Sequence, residues 1–581
     1  MASAEELQPE RTVRVVPDVS GIGKAFDYTV PSRWADTVDV GSLVRIELNG
    51  RRVAGWVVDV DVEAPPGVRL RPLSKVSSVG PSQEVLDVAA WTAHRWSGRM
   101  ASVLTSASPD RMVERLPRPP DGPDPVLPAA GDWATGAFSE PGVTLVRTPP
   151  AEDLAPYVLA AASTGDAVIV APTIGDARHH GALLRASGAR VSLAGRDFAN
   201  AATAGSVIGA RSGVWARVRS LSAVLVLDEH DESLQEERNP TWNARDVAIE
   251  RARRAGVPCV LLSPVPSLAG LETADRVLEP SRAQERRGWP TVRVADRRTE
   301  DPKRAGLFSP ALVALVRSGR RVTCVLNRKG RARMLACARC GELVRTEDGE
   351  HLMAEIDGVL RSDATGEERP LICALCTSTS LKRLRLGVHR AAEELAVLAG
   401  APVLDLVGDQ TIGGPGEARI TVGTEAALHT GGEVGAVVFL DLDQELLAPR
   451  YRAAEQALGL IARAARLVGP DGQILLQTRT PEHRVVRAAV QSNPSAFAVE
   501  ERAVREPAGW PPYRAMAEIS GAAAADFVGP LLDRLDVEVL GPRPDGRYLV
   551  RADTPRALAD VLAGANRPKG RLRIAVDPPR A

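Results

Sequence analysis

The chain is poor in lysine, carries no net charge and lacks any long apolar run, and each shortage excludes something. Only six of its 73 basic residues are lysine (Lys24, Lys75, Lys303, Lys329, Lys382 and Lys569), and 73 acidic residues cancel the whole basic set. The broad positive field of a protein that coats nucleic acid is therefore absent, and any nucleic-acid site must be local. The abundance of Arg, Ala, Gly and Val reflects a GC-rich coding sequence and is not a sign of function. No stretch reaches the roughly 18 consecutive apolar residues that a membrane span needs, and the polar, acidic opening MASAEELQPERT does not read as a signal peptide. A cytoplasmic location with no membrane partner is expected. No repeat with a period of about 20–50 residues is present, which excludes solenoids and arrays.

Cysteine is scarce as well. Of six, Cys259 and Cys324 lie in apolar, strand-like runs and read as buried structural thiols. The other four form two Cys-x-x-Cys pairs, Cys337 with Cys340 and Cys373 with Cys376. Four thiolates in two tight pairs suit tetrahedral Zn²⁺, whereas a redox role would need one pair with an activated cysteine at a helix N-terminus.

What is present is a succession of domains. At 581 residues, with 44% apolar content, about four domains can each bury a core. From residue 11 to about 76, short β-branched runs alternate with turns, and Asn49-Gly50 between two of them predicts a hairpin in a small β domain. The spacing of Val85, Leu86, Ala89, Ala90 and Trp91 predicts helix, as in a small helical or winged-helix module. Leu116 to Asp132, dense in Pro and Asp, is a linker. Beyond it, buried strand-length runs such as DAVIVAPT, AVLVLDE, RVTCVLN and QILLQT alternate with helical stretches, which predicts two parallel α/β lobes, the second interrupted by the cysteine pairs. The last stretch, with VEVLGPRP and RYLVRAD, reads as a small α+β domain.

The place after the first strand of the first lobe is where a phosphate-binding loop would sit. Such a loop needs Gly for backbone approach, Lys for the terminal phosphates and a hydroxyl for magnesium. Thr148-Pro149-Pro150 has neither the glycines nor the lysine, and its prolines remove two backbone donors. Asp228, Glu229, His230 and Asp231 follow a buried strand, where a magnesium-binding carboxylate or merely a solvated acidic turn could lie. Arg463 and Arg466, three apart on a helix, could meet a γ-phosphate or solvate a helix face.

The segments AFDYTVP at 25–31, VIGARSGVW at 207–215, HDESLQEERNPTWNARDVAIERA from His230, VLNRKGRARMLACARCG from Val325, VGTEAALHTGGEV from Val422 and ILLQTRTPEH from Ile474 occur in family order. Together they resemble the primosomal protein N′ family of bacterial replication-restart proteins nearly from end to end. The resemblance implies an α/β fold with two RecA-like parallel-sheet helicase lobes, an N-terminal β domain, a winged helix, a zinc-binding insert and a small α+β C-terminal domain. It implies a disordered tail at 1–10, a 3′-DNA-end-binding β domain at 11–76, a winged-helix module at 77–115, a linker at 116–132, lobe 1 at 133–285, lobe 2 at 286–336 and 386–510, the zinc insert at 337–385 and the C-terminal domain at 511–581.

The departures from the family fall on its chemistry. The family's Gly-Ser-Gly-Lys-Thr has no equivalent, its first Walker B Asp meets Leu227, and its Ser-Ala-Thr has become Ser263-Pro264-Val265. In the Gln-x-x-Gly-Arg-x-Gly-Arg motif Arg463 and Arg466 remain, but the Gln position is Gly459 and both glycines are alanine, Ala462 and Ala465. Asp228, Glu229, His230, Arg463 and Arg466 are thus expected to form a vestigial nucleotide site, with ATP and Mg²⁺ not expected to be used and no catalytic residue assigned. Relatives hold two zincs on a longer cysteine-rich insert; this chain matches the outer pairs, so one zinc is expected.

In the β domain, residues of the family's 3′-end site match Phe26, Asp27, Gly50 and Arg71, the Asp accepting the terminal hydroxyl and the aromatic lying beside the base. A carboxylate suits that task, since it accepts from a 3′-OH and repels a 3′-phosphate. On the residues alone, an edge strand with exposed polar groups is the other reading. The implied function is recognition of stalled forks and branched DNA, with single-stranded DNA-binding protein and helicase-loading factors as partners, by a monomeric, nucleoid-associated protein. Two rivals stand: an active ATP-dependent 3′-to-5′ helicase, and a zinc-ribbon interaction module without DNA affinity.

Overall fold

The computed structural model describes residues 11–19, 21–63, 67–120, 125–203, 205–298, 306–326, 335–347, 352–356, 358–362, 365–383, 388–407, 410–411, 418–429 and 434–578. The tail expected at 1–10 lies outside the described residues.

Five antiparallel strands open the fold: β1 (Thr12–Pro17), β2 (Phe26–Thr29), β3 (Leu43–Leu48), β4 (Arg51–Val60) and β5 (Lys75–Ser78), in the order β2-β1-β4-β3-β5. The β3–β4 hairpin turns at Asn49-Gly50, where both residues have positive φ (51° and 74°), as a two-residue turn matched to the strand twist requires. Val13, Val15, Ile46 and Val57 fill the interior with Tyr28. Residues 77–115, expected as a small helical or winged-helix module, carry two helices, α1 (Gln83–Arg95) and α2 (Met100–Ala107). Ser82 caps α1 by accepting from the Val85 amide.

The first lobe is a seven-stranded parallel sheet of β6 (Gly142–Arg147), β7 (Asp166–Val170), β8 (Val191–Leu193), β9 (Ser206–Gly209), β10 (Leu221–Val226), β11 (Pro258–Ser263) and β12 (Arg276–Leu278), ordered β12-β6-β11-β10-β7-β9-β8. Its central strands are mostly apolar because both faces are covered. The second lobe repeats the plan: Thr291–Asp296, Gln473–Thr478, Ala436–Phe439, Val322–Val325, Ile420–Gly423 and Val403–Val407 run parallel, with the short Gln410–Thr411 antiparallel at the edge. These are the two parallel-sheet lobes expected. Between the second lobe's strands rises the insert, where Leu335–Cys337 pairs with Leu381–Arg383 and a three-stranded sheet covers Leu335, Val344, Met353 and Leu360. Four antiparallel strands (Ala515–Ser520, Glu538–Leu540, Tyr548–Ala552 and Arg573–Val576) with helix Pro555–Gly564 close the chain. Among the described residues no helix is long and apolar enough to cross a membrane.

Three of the regions share one core, where composition had suggested a core for each domain. One apolar cluster runs from Trp56, Val88 and Leu104 through Val168, Val226 and Trp242 of the first lobe to Phe527, Val550 and Leu562 of the last domain. The loop 235–241 ties the ends together: Thr241 Oγ1 donates to the Val576 carbonyl at 2.8 Å and Gln235 Nε2 to that of Asp577 at 3.1 Å.

Candidate functional site

In parallel sheets the loops at the carboxyl ends of the strands form the ligand crevice. Three such ends face the second lobe: β6 leads into Thr148-Pro149-Pro150, β10 into Asp228 and Glu229, and β11 ends at Ser263. A phosphate would need free backbone amides here. The Thr148 amide donates to the Ser263 carbonyl (3.1 Å), Pro149 and Pro150 have none, the Ala151 amide donates to Gly288 (3.1 Å) and that of Glu152 to Pro149 (2.9 Å). The loop is pressed so closely on the segment entering the second lobe that a Cβ at Gly288 would lie 2.3 Å from that of Pro149.

The acidic residues expected as vestigial ligands are brought together with both arginines, and the partners are protein. Arg466, on helix Ala453–Val468, donates to both carboxylate oxygens of Asp228, through Nη2 at 2.8 Å and through Nη1, while its Nε donates to the Pro150 carbonyl at 3.3 Å. The guanidinium thus bridges the loops that follow β6 and β10. Arg463 pairs with Asp231, and its Nη1 lies 2.8 Å from His429 Nδ1. Burial raises the Asp228 carboxyl, but Arg466 outweighs it and holds the group well below the usual carboxylate range. Asp228 also sits at φ 48°, in the left-handed region that non-glycine residues seldom occupy. Glu229 is held within the first lobe, accepting from the Ser267 amide at 2.7 Å and from Arg245 at 3.3 Å. His230 Nδ1 lies 2.8 Å from Ser263 Oγ, and burial pushes the imidazole down to about 4.

Sequence reasoning missed a second tie. Glu455 accepts from the Leu268 amide across the lobe boundary at 2.8 Å and pairs with Arg505 at 2.7 Å. Nothing local marks Glu455, whose partners are 187 and 50 residues away. Beside these contacts an interlobe cavity of about 590 Å³ remains, lined by seven carboxylates, Asp231 and Glu455 among them, against four arginines. That balance disfavours a polyphosphate.

The four cysteine sulfurs of the insert lie within 4.8 Å of one another, with Cys337 Sγ 3.4 Å from Cys376 Sγ and Cys340 Sγ 3.6 Å from Cys373 Sγ. This cluster could hold a metal ion. Burial raises the Cys337 thiol, but the backbone N–H groups of Cys340 and Arg339 outweigh it and bring the thiol down to about 6, favouring the thiolate a metal requires. Cys259 and Cys324 are buried free thiols, and burial pushes both up to about 12.

In the β domain the four expected residues fall into two groups. Asp27 stands across from Arg14 in the β1–β2 register, and Arg14 donates to both its oxygens, Nε at 2.8 Å and Nη2 at 3.2 Å. The hydrogen bond with Asp27 and its charge raise the Arg14 guanidinium above its ordinary value. Phe26 and Tyr28, alternating with Asp27, pack with the interior, and Lys24 Nζ lies 5.3 Å from the Phe26 ring centroid. Arg71 pairs instead with Glu47 at 2.5 Å, close to Tyr28, whose hydroxyl donates to the Glu47 carbonyl at 3.1 Å. Gly50 occupies the β3–β4 turn. Arg14 and Glu47 were not anticipated; alternation along the strands was the signal that could have put Arg14 and Asp27 on one face.

Residues 14–109 match the family model of the 3′ DNA-binding domain. The probable replication restart protein PriA of Mycobacterium leprae is 28% identical over 90% of this chain and 90% of its own, and that of Mycobacterium tuberculosis strain H37Rv is 29% identical over 92% of each. The replication restart protein PriA of Bacillus subtilis is 26% identical over 58% of this chain, a match spanning 47% of that protein. Among solved structures, a DEAD box protein from Methanococcus jannaschii is similar over 60% of this chain and 85% of its own, with a TM-score of 0.31 and 9% identity. From the domain match at one end to alignments over nine tenths of its length, the chain is similar to the replication restart proteins PriA.

Proposed function

We propose that this protein recognises stalled or collapsed replication forks through a nascent 3′ end held by its β domain, and helps reload the replicative helicase without ATP turnover of its own. The observation that carries the second half is the state of the loop after β6: from Thr148 to Glu152 every backbone amide is either absent or bonded to a carbonyl. Phosphoryl transfer depends on positioning and charge neutralisation, and neither a cradle nor a first-lobe lysine exists to supply them. The first half is supported by the match to a 3′ DNA-binding domain over the segment that contains Phe26, Asp27, Gly50 and Arg71. We assign the cysteine cluster one Zn²⁺ through Cys337, Cys340, Cys373 and Cys376, since four thiolates favour it over harder cations. Single-stranded DNA-binding protein and helicase-loading factors are the expected partners, and the protein is expected to act as a monomer at the nucleoid.

The test is ATPase activity of the purified protein with and without forked DNA, alongside fork binding. Binding with no DNA-stimulated turnover is expected. Turnover that Asp228→Ala abolishes would establish the rival reading, an active helicase; absence of fork binding would leave a metal-bearing interaction module.

A further inference from the structure

The Asp27 carboxylate, read above as the acceptor of a terminal hydroxyl, is not an isolated charge. Arg14 lies between two carboxylates, opposite Asp27 on β2 and opposite Asp59 on β4 in the strand registers. It grips Asp27 through Nε and Nη2, which uses two of its five N–H donors. The pair is unevenly exposed: the Asp27 side chain is 12% exposed and that of Arg14 44%. The three remaining donors and most of the accessible surface therefore belong to the arginine. A polynucleotide end approaching this face meets a guanidinium before it meets the carboxylate.

We propose that Arg14 is a specificity-determining residue of the 3′-end site: it offsets the charge of Asp27, fixes the carboxylate's orientation, and offers its outward N–H donors to a backbone phosphate next to the terminal nucleotide. This rests on the reading of Asp27 as the hydroxyl acceptor. One consequence differs from what Asp27 alone would do. A bare carboxylate rejects a 3′-phosphate by like charge; a carboxylate already paired with arginine rejects it less, and selects the hydroxyl by hydrogen-bond geometry. Removing Arg14 leaves Asp27 and Asp59 uncompensated, so rejection of a 3′-phosphate rises while affinity for any DNA end falls.

The experiment measures affinity for one fork ending in 3′-OH or in 3′-phosphate, at fixed salt, for the full chain and for Arg14→Gln, Arg14→Lys and Asp27→Ala. The unaltered protein prefers the hydroxyl end. Arg14→Gln is expected to bind both forks more weakly and to widen that preference by roughly two- to fivefold, the size of one partly exposed charge interaction; Arg14→Lys, which keeps the charge, should stay near the unaltered ratio. A purely structural arginine would weaken binding without widening the ratio. An unchanged or narrowed ratio in folded Arg14→Gln, while Asp27→Ala abolishes the preference, overturns the role of Arg14 and leaves that of Asp27. No preference in the unaltered protein overturns both.

Discussion

Two arginine–aspartate pairs occupy the two places where chemistry was expected, and they differ in what they leave free. Arg14 meets Asp27 on the outer face of a sheet and, among the described residues, has three donors to spare, whereas Arg466 meets buried Asp228 between two lobes and also donates to the Pro150 carbonyl. The first pair is partly open to solvent; the second is closed between the lobes. The lesson is that retained charge does not identify a working site. Arg463 and Arg466 were expected where a γ-phosphate would be met, and their carboxylate partners come from the chain itself.

The largest expected effect tests whether the two regions are independent of the insert. If the cysteine cluster holds Zn²⁺ as proposed, the metal would supply on the order of 10 kcal/mol of folding energy, and the insert has only a small core of its own. Cys340→Ser or a strong chelator should release the metal and unfold the insert, seen by elemental analysis and hydrogen exchange, with both lobes and 3′-end preference retained. Loss of that preference with the metal would mean that the β domain does not act by itself.

Next come the aspartates. Asp27→Ala should reduce the preference for 3′-OH over 3′-phosphate forks by about 1–3 kcal/mol, the range for a hydrogen bond to a charged group, while salt-dependent affinity persists through arginine contacts to phosphate. Arg466→Ala should cost about 1–3 kcal/mol of stability, because buried Asp228 loses its charge partner, and should not restore ATP turnover; equal thermal stability would show that the cleft pair is ornamental.

Acid should separate the regions further. Asp228 is held below its ordinary value of 3.8, so the stability its pairing contributes is full above that value and is lost as pH falls below it. His230 is pushed down from 6.5 to about 4, so the unfolded chain binds the extra proton in that interval and stability falls as pH drops from 6.5 toward 4. Both run the same way. Denaturant melts at pH 7 and pH 5 should show lobe destabilisation that His230→Asn diminishes; an unchanged slope in that variant would remove His230 as its source.

The smallest effect lies at the exposed Arg71–Glu47 pair, whose side chains are 59% and 48% exposed. Arg71→Ala should change stability by less than about 1 kcal/mol, yet lower fork affinity and reduce the salt slope by about one phosphate contact. An unaltered slope would exclude Arg71 from the DNA path.

Much was legible before any coordinates. Asn49-Gly50 announced its hairpin because two consecutive positive-φ residues are a local requirement. The missing amides of Thr148-Pro149-Pro150 were equally plain, since two prolines lack two amides in any fold. The cysteine spacing pointed to a metal cluster because each Cys-x-x-Cys is itself a short-range device. What could not be read was how separate pieces meet. Separate cores were expected for each domain, but a continuous cluster joins the first helices, the first lobe and the last domain, since apolar periodicity says which face is buried and not against what. Likewise nothing in AFDYTVP reveals Arg14 as the partner of Asp27, which depends on strand register.

By itself, then, the sequence determined the strands and helices, the Asn-Gly turn, the thiol pairs and the two amides missing at Pro149 and Pro150, all set by dihedral preferences, donor counts and spacing within a few residues. Tertiary structure alone decided that Arg466 would close on Asp228, 238 residues away, that Glu455 would tie the lobes, and that Arg14 would sit over Asp27. Those choices belong to the packing of sheets and lobes, because a charge pairs with whichever opposite charge the fold carries within reach, and no local pattern encodes that distance.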